Sequence, residues 1–103
     1  MPNSGDIRGY RSSKASTGNL SAADTYVAAL SLVADYNFSV SGTWVGTITL
    51  QRSFDNGTTW LDVATTTANV ESIRFEPEVG VLYRAGFKAA QYTSGTAAVR
   101  LSQ

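Results

Sequence analysis

The stretch VGTITLQRSFDNGTTWLDV, residues 45–63, decides how this chain folds. Two runs rich in β-branched residues flank Asp55-Asn56-Gly57. Asn-Gly between two such runs is a strong signal of a β-hairpin, because a tight turn needs positive φ angles, which Asn and Gly tolerate best. We therefore predict two antiparallel strands joined by this turn, with the Asp55 carboxylate accepting hydrogen bonds from amides just downstream.

The same hairpin carries the pattern Ser-x-Asp-x-Gly-x-Thr-Trp, which begins at Ser53 and ends at Trp60. This pattern resembles the Asp-box of sialidases and other β-rich proteins. The resemblance implies a folded turn braced by its Asp, with the Trp packed beneath it, and it implies nothing about an activity. Calcium is a weaker alternative, because Asp55 and Asn56 offer hard oxygen ligands; we predict no metal. The predicted structural residues are Ser53, Asp55, Asn56, Gly57, Thr59 and Trp60.

Composition excludes several classes of function. The chain has 103 residues, which is the size of a single domain, and it contains neither Cys nor His. It therefore lacks disulfides, the commonest general base and the commonest metal ligand. Its 8 basic and 8 acidic residues give a formal net charge of zero, so no electrostatic footprint for nucleic acid or an anionic membrane is present.

Catalytic patterns are missing as well. The sequence does not identify any two carboxylates as the catalytic pair of a glycosidase. Because the chain has no His, a Ser-Lys dyad is the only arrangement left that could activate a hydroxyl group. Neither Lys14 nor Lys88 lies in a Ser-x-x-Lys arrangement within a plausible helix. We therefore predict a protein that is not an enzyme and uses no cofactor.

Hydrophobic periodicity predicts an all-β fold. Residues alternate between apolar and polar over 35–40, 43–53, 81–89 and 96–101, with turn residues between these runs at Ser41-Gly42, Pro77 and 92–95. Residues 25–33 and 69–75 add two strands, although a helix is an alternative for 25–33. The short connections require antiparallel pairing. About seven such strands predict a two-sheet antiparallel β-sandwich, either immunoglobulin-like or a small jelly roll.

The alternation also assigns inward faces. Tyr36, Phe38 and Val40 form one such set, and Ile73 with Phe75 forms another. The long run from 81 to 89 turns its odd-numbered residues inward. Tyr83 follows a Pro/Gly turn, which is the position of a tyrosine corner in sandwich folds. The residues predicted to fill the core are Trp44, Ile48, Phe75, Tyr83 and Phe87.

Residues 1–24 differ in composition from the β-rich part, residues 25–103, which we predict to be the folded domain. They are rich in Gly, Ser and Asn and show no periodicity. Two interpretations remain open: a flexible tail, and an arm that becomes ordered on a partner. In the second, apolar and basic side chains supply the partner contacts. These residues are Ile7, Arg8, Tyr10, Arg11 and Leu20.

Four stretches together resemble small β-sandwich structural proteins of tailed bacteriophages: VSGTWVGT (residues 40–47), LQRSFD (50–55), TTW (58–60) and YTSGTAAVRLSQ (92–103). The resemblance spans residues 38–103 and carries over no catalytic residue. It implies a virion component assembled in the host cytoplasm, most simply a capsid decoration (cement) protein that binds the major capsid protein. It also implies a homo-oligomer, with a trimer as our expectation. The alternative is a carbohydrate- or receptor-binding module of a head or tail fibre, for which Tyr92 is the best exposed aromatic candidate.

Overall fold

Every regular element of residues 13–103, the part of the chain that this computed structural model describes, is a β-strand. The strands form one antiparallel sheet, which confirms the predicted all-β fold of about seven strands. In chain order they are β1 (Ala15–Leu20), β2 (Thr25–Tyr26), β3 (Leu30–Ser31), β4 (Ala34–Ser53), β5 (Leu61–Thr66), β6 (Val70–Glu76) and β7 (Leu82–Ser102).

Two long strands form the centre of the sheet. β4 and β7 pair antiparallel from Asn37 opposite Ser102 to Ser53 opposite Leu82. At one end β1 joins β7 and β6 joins β4; we call these four strands the first half-sheet. At the other end β2 and β3 join β7 and β5 joins β4; this is the second half-sheet. Both half-sheets share β4 and β7, so the hydrogen-bonded ladder is continuous.

The sheet folds back on itself. The rings of Tyr36 and Tyr83 lie with their centroids 4.8 Å apart. Tyr83 is opposite Arg52 in the ladder, however, and Arg52 lies sixteen residues beyond Tyr36 on β4, about 50 Å along a straight strand. The contact therefore requires both long strands to bend, and irregular pairing between Val45 and Ile48 marks the bend. The two half-sheets face each other across a single core.

The two turns predicted at Ser41-Gly42 and at residues 92–95 are wrong, because both segments lie inside β4 and β7. Gly42 and Gly95 do have positive φ angles, 101° and 82°. A Cβ atom at Gly95 would overlap the Thr43 carbonyl oxygen and would lie 2.7 Å from the Trp44 Cα. The glycines therefore allow the strands to approach closely near the bend, while the chain continues in the same strand.

The core lies between the half-sheets, and most predicted inward faces point into it. Phe87 is fully buried opposite Ile48 and makes edge-on contacts with Trp44 and Tyr92 at centroid distances of 5.8 and 5.0 Å. Other residues predicted to face inward are also buried: Tyr36, Phe38, Val40, Val81, Tyr83 and Ala85. The core also contains Leu50, Ala97, Val99 and Leu101.

The predicted inward face of β6 is wrong. Ile73 and Phe75 are 76% and 63% exposed. β6 pairs Ile73 with Asn37 and Phe75 with Asp35, so both apolar side chains share the solvent face of the first half-sheet. Glu76 takes the inward position and is only 1% exposed. Because side chains alternate across a strand, this shift of one residue reverses the whole face.

Ala89, predicted to face inward, is exposed. β7 has three more residues than β4 between the pairs Gly46–Tyr92 and Ile48–Phe87, since residues 88–91 stand against a single residue of β4. Ala90 within this bulge has a φ angle of 65°. The bulge takes the segment out of the alternating pattern.

The segment 25–33 forms two short strands instead of one. Val27 and Leu32 are buried, whereas Ala28 is exposed. β1 lies within the predicted arm and pairs along its length with β7. Leu20, predicted to contact a partner, is 8% exposed and belongs to this chain's own core. Because it is already packed, it is not free for that contact.

Candidate functional site

The hairpin turn is held together by two side chains. The Asp55 Oδ1 atom accepts hydrogen bonds from the Ser53 hydroxyl at 2.8 Å and from the Thr59 amide at 2.7 Å. The Ser53 hydroxyl in turn accepts the Gly57 amide at 2.8 Å. Asn56 and Gly57 have φ angles of 59° and 91°, as the Asn-Gly pattern predicts. The side chains thus satisfy the loop's own amides, which is a structural task.

Trp60 connects this turn to the rest of the second half-sheet. The Arg84 guanidinium lies 4.3 Å from the Trp60 ring and 3.8 Å from the Tyr26 ring. Its Nε donates to the Gln51 side-chain oxygen at 2.9 Å. A guanidinium between two aromatic faces is held by cation–π attraction. Trp60 therefore serves packing, and it is half-buried.

Acidification gives a test of the Asp55 brace. The hydrogen bond from the Thr59 amide, followed by those from the Thr59 and Ser53 side chains, lowers the pKa of Asp55 to about 2. Because the folded pKa lies below the unfolded one, the carboxylate stabilises the fold above about pH 4 and loses that effect as the pH falls towards 2. Asp55→Ala should lower the melting temperature at pH 7 and remove this part of the acid destabilisation, as measured by circular dichroism.

Thr58→Ala is the matched control for the turn, because Thr58 contributes only its backbone amide, 3.4 Å from the Asp55 carbonyl oxygen. Its melting temperature should stay close to that of the wild type. Equal melting temperatures for the two variants across pH 2–7 would show that the Asp55 carboxylate does not brace the turn.

A buried acid, Glu76, joins the two half-sheets. Its Oε1 accepts the Tyr83 hydroxyl at 2.5 Å and the Arg52 guanidinium at 3.0 Å, and its Oε2 accepts the Glu78 amide at 3.0 Å. Burial alone would raise the pKa of Glu76, but these hydrogen bonds outweigh burial and lower it. Burial, together with the bond to Glu76, raises the pKa of Tyr83. The pair therefore stays as carboxylate and phenol, which suits a structural bridge.

The sequence pattern does not single out Glu76, because it directly precedes the turn residue Pro77. The available signal was the buried Tyr83, whose hydroxyl needs an acceptor. Tyr83 differs from a tyrosine corner, whose hydroxyl bonds to the backbone a few residues upstream. Its acceptor is the Glu76 carboxylate.

Two other carboxylates also bind neighbouring strands. Asp62 accepts Lys88 Nζ and Gln51 Nε2, both at 2.8 Å, and the Lys88 bond lowers the pKa of Asp62. Glu71 accepts the Ser39 hydroxyl at 2.8 Å. Within residues 13–103, no group of three acidic, His or Cys side chains could hold a metal ion. The same part of the chain contains no helix of the length and apolarity needed to cross a membrane.

The solvent side of the first half-sheet, which we call the outer face, is a shallow polar concavity of about 550 Å³. Arg100 lies on its central strand, with its Nε donating to Ser102 at 3.2 Å. Asn37 donates to the same hydroxyl at 3.3 Å. Four paired strands carry these side chains, and no aromatic ring lines the concavity. Its side chains are Thr17, Asn19, Asn37, Ser39, Ser41, Glu71, Ala98, Arg100 and Ser102.

The free side of β6, which we call the β6 edge, adjoins the outer face. Among the described strands β6 pairs only with β4, so its other side has backbone groups without a strand partner. Ile73 and Phe75 project from it into solvent. An exposed edge with apolar side chains is a site where another strand can pair.

Tyr92, the aromatic candidate for sugar binding, does not belong to an exposed aromatic platform. Tyr92 is half-buried against Phe87, and its hydroxyl donates to the Gly95 carbonyl at 2.8 Å. Trp44 is half-buried, and Tyr36 is buried. Tyr92 therefore packs within the fold, which corrects its assignment to an exposed turn. The predicted arm contacts Ile7, Arg8, Tyr10 and Arg11 lie outside the described residues.

Comparisons with known proteins add no relative. No family model matches the chain, and neither the curated proteins nor the solved structures yielded a match.

Proposed function

We propose that this chain is a non-enzymatic virion protein of a tailed bacteriophage, a capsid decoration protein that binds and stabilises the head shell. Its partners are the major capsid protein and further copies of itself, in a trimer, with the N-terminal arm contacting a neighbouring copy. It assembles in the host cytoplasm. The sequence resemblance over residues 38–103 supplies the virion context, and the outer face supplies the binding surface.

The observation that carries the proposal is the construction of the outer face. It presents hydroxyl, amide and guanidinium groups from four paired strands, so few side-chain rotamers must be ordered on binding. Its concavity is open and shallow, which suits a large partner surface. A preorganised surface of this kind can dock repeatedly on a lattice without rearrangement.

The contacts of four of the described acids support a role without catalysis. Asp55, Asp62, Glu71 and Glu76 each accept a hydrogen bond that secures a turn or a neighbouring strand. The buried Tyr83 has a raised pKa and faces a carboxylate, which makes it a poor proton donor to a substrate. Each of these side chains therefore has a role in holding the fold together.

Co-sedimentation with purified phage heads tests the proposal. Arg100→Ala should weaken binding about tenfold, because an interfacial Arg is a frequent hot spot and this is worth about 1.4 kcal/mol. Lys88→Ala is the matched control: it removes an exposed positive charge from the second half-sheet, away from the outer face. If both variants bind like the wild type, the outer face is not the capsid contact.

The polar concavity also favours a second function, recognition of a hydroxyl-rich ligand such as a host surface polysaccharide by a fibre. Its mixed donors and acceptors match sugar hydroxyls. Binding to purified host polysaccharide, weakened by Arg100→Ala, together with failure to sediment with heads, would favour this function over capsid decoration.

A further inference from the structure

The β6 edge is an exposed sheet edge that has no strand partner within residues 13–103. Ile73 and Phe75 are the two large apolar side chains of the first half-sheet's solvent side, and they adjoin Glu71 and Asp35. Val70, on the other face of the same strand, is half-buried against the core. A strand added here would gain backbone hydrogen bonds on one side and apolar contact on both faces.

We propose that residues 6–11 of one copy add as an antiparallel strand to β6 of a second copy. The segment Asp6-Ile7-Arg8-Gly9-Tyr10-Arg11 contains two apolar side chains, and in the register given below Arg11 shares the strand face of the exposed Glu71. The proposal deepens the self-association proposed above by naming the surface that receives the arm.

The place where the chain enters the sheet keeps Tyr10 and Arg11 from pairing with the chain's own β6. Lys14 exchanges backbone hydrogen bonds with Gln103 at 2.9 and 3.0 Å, and β1 follows directly. β7 and β4 separate β1 from β6, so a strand beyond β6 lies four strand spacings away, about 19 Å. Tyr10 is three residues before Ser13 and reaches only about 10 Å.

Direction supports the same conclusion. β6 runs towards the corner at which the chain enters the sheet, because Glu76 is opposite Ala34. An arm laid back along its own β6 from that corner would run parallel to it. A parallel strand on an antiparallel sheet forms the weaker ladder, whereas a second copy can supply the arm in the antiparallel direction.

One register fits the side chains on both faces. With Ile7 opposite Ile73, Asp6 lies opposite Arg74 and Tyr10 lies opposite Val70. Ile7 then packs beside Ile73 and diagonally to Phe75 on the solvent face. Directly opposite and diagonal pairs of this kind are the units that stabilise a sheet.

Disulfide trapping in the full-length chain tests this register, because the natural sequence has no Cys. An Ile7→Cys chain is mixed with an affinity-tagged Ile73→Cys chain under mild oxidation. The matched control mixes Ile7→Cys with tagged Val45→Cys, another exposed apolar position at 56% exposure. The Ile73→Cys mixture should give at least ten times the yield of mixed disulfide, measured by non-reducing electrophoresis and mass spectrometry.

Three results would overturn the proposal. The first is a yield no higher than that of the Val45→Cys control. The second is a mixture dominated by Ile73→Cys homodimers, which would mean that two β6 edges pair with each other. The third is an intramolecular disulfide as the main product when both substitutions are in one chain, which would place the arm on its own sheet. Because head binding is measured separately, failure here would leave the capsid proposal standing.

Discussion

Replacing Phe87 with alanine should lower the free energy of unfolding by about 3–5 kcal/mol, the range for deletion of a buried aromatic ring. Phe87 has no exposed surface, and it lies at the bend, opposite Ile48 of β4. Its ring contacts Trp44 and Tyr92 edge-on, and such pairs add to the burial energy. Urea denaturation followed by circular dichroism measures the change.

Phe75→Ala is the matched control for Phe87→Ala, because it removes the same side chain from a position that is 63% exposed. Its effect on unfolding should stay within about 0.5 kcal/mol, as for other surface substitutions. A Phe75→Ala change as costly as Phe87→Ala would contradict the observed face of β6. It would support the face predicted from sequence.

Glu76→Ala should lower the free energy of unfolding by about 2–3 kcal/mol, since it strips a buried hydroxyl of its acceptor. The Tyr83 hydroxyl has that carboxylate as its partner at 2.5 Å, and Arg52 loses its ion-pair partner at 3.0 Å. Arg52 is partly exposed, so the ion pair contributes less than the buried hydrogen bond. Glu71→Ala, which removes an exposed acid with one bond to Ser39, is the control and should cost much less.

Glu76 also contributes to acid sensitivity. Its pKa in the folded protein lies below the ordinary value of 4.5, so the carboxylate stabilises the fold above that pH and loses the effect as the pH falls further. Glu76→Gln keeps the shape without the titration. Its stability should therefore fall less than the wild-type stability does between pH 5 and pH 3 in the same denaturation experiment. An equal fall in both proteins would mean that Glu76 is not protonated in that range.

Local patterns predicted the strands whose two faces differ clearly. Tyr36, Phe38 and Val40 alternate with polar residues, and the structure buries all three. The same alternation gave the wrong face for β6, because Val70-Glu71-Ser72-Ile73-Arg74-Phe75-Glu76 has apolar residues of both parities. Only the pairing partner, β4, decides which parity faces the core.

The features of the fold that depend on contacts between distant residues could not be predicted from the sequence. The bend in β4 and β7 depends on close backbone approach at Gly95 and on the bulge at residues 88–91, and both need the partner strand to be known. The Asp55 turn was predictable because all its hydrogen bonds are local. The outer face was not predictable, since its side chains come from four strands that are distant in sequence.

The most direct measurement is an electron-cryomicroscopy reconstruction of heads from the phage proposed to encode this chain. The proposal predicts density for a folded seven-stranded sheet on the shell, with β1 and the Arg100 segment of β7 against the major capsid protein. Heads that lack this density, or that hold the chain through the turn around Asp55 instead of the outer face, would contradict it.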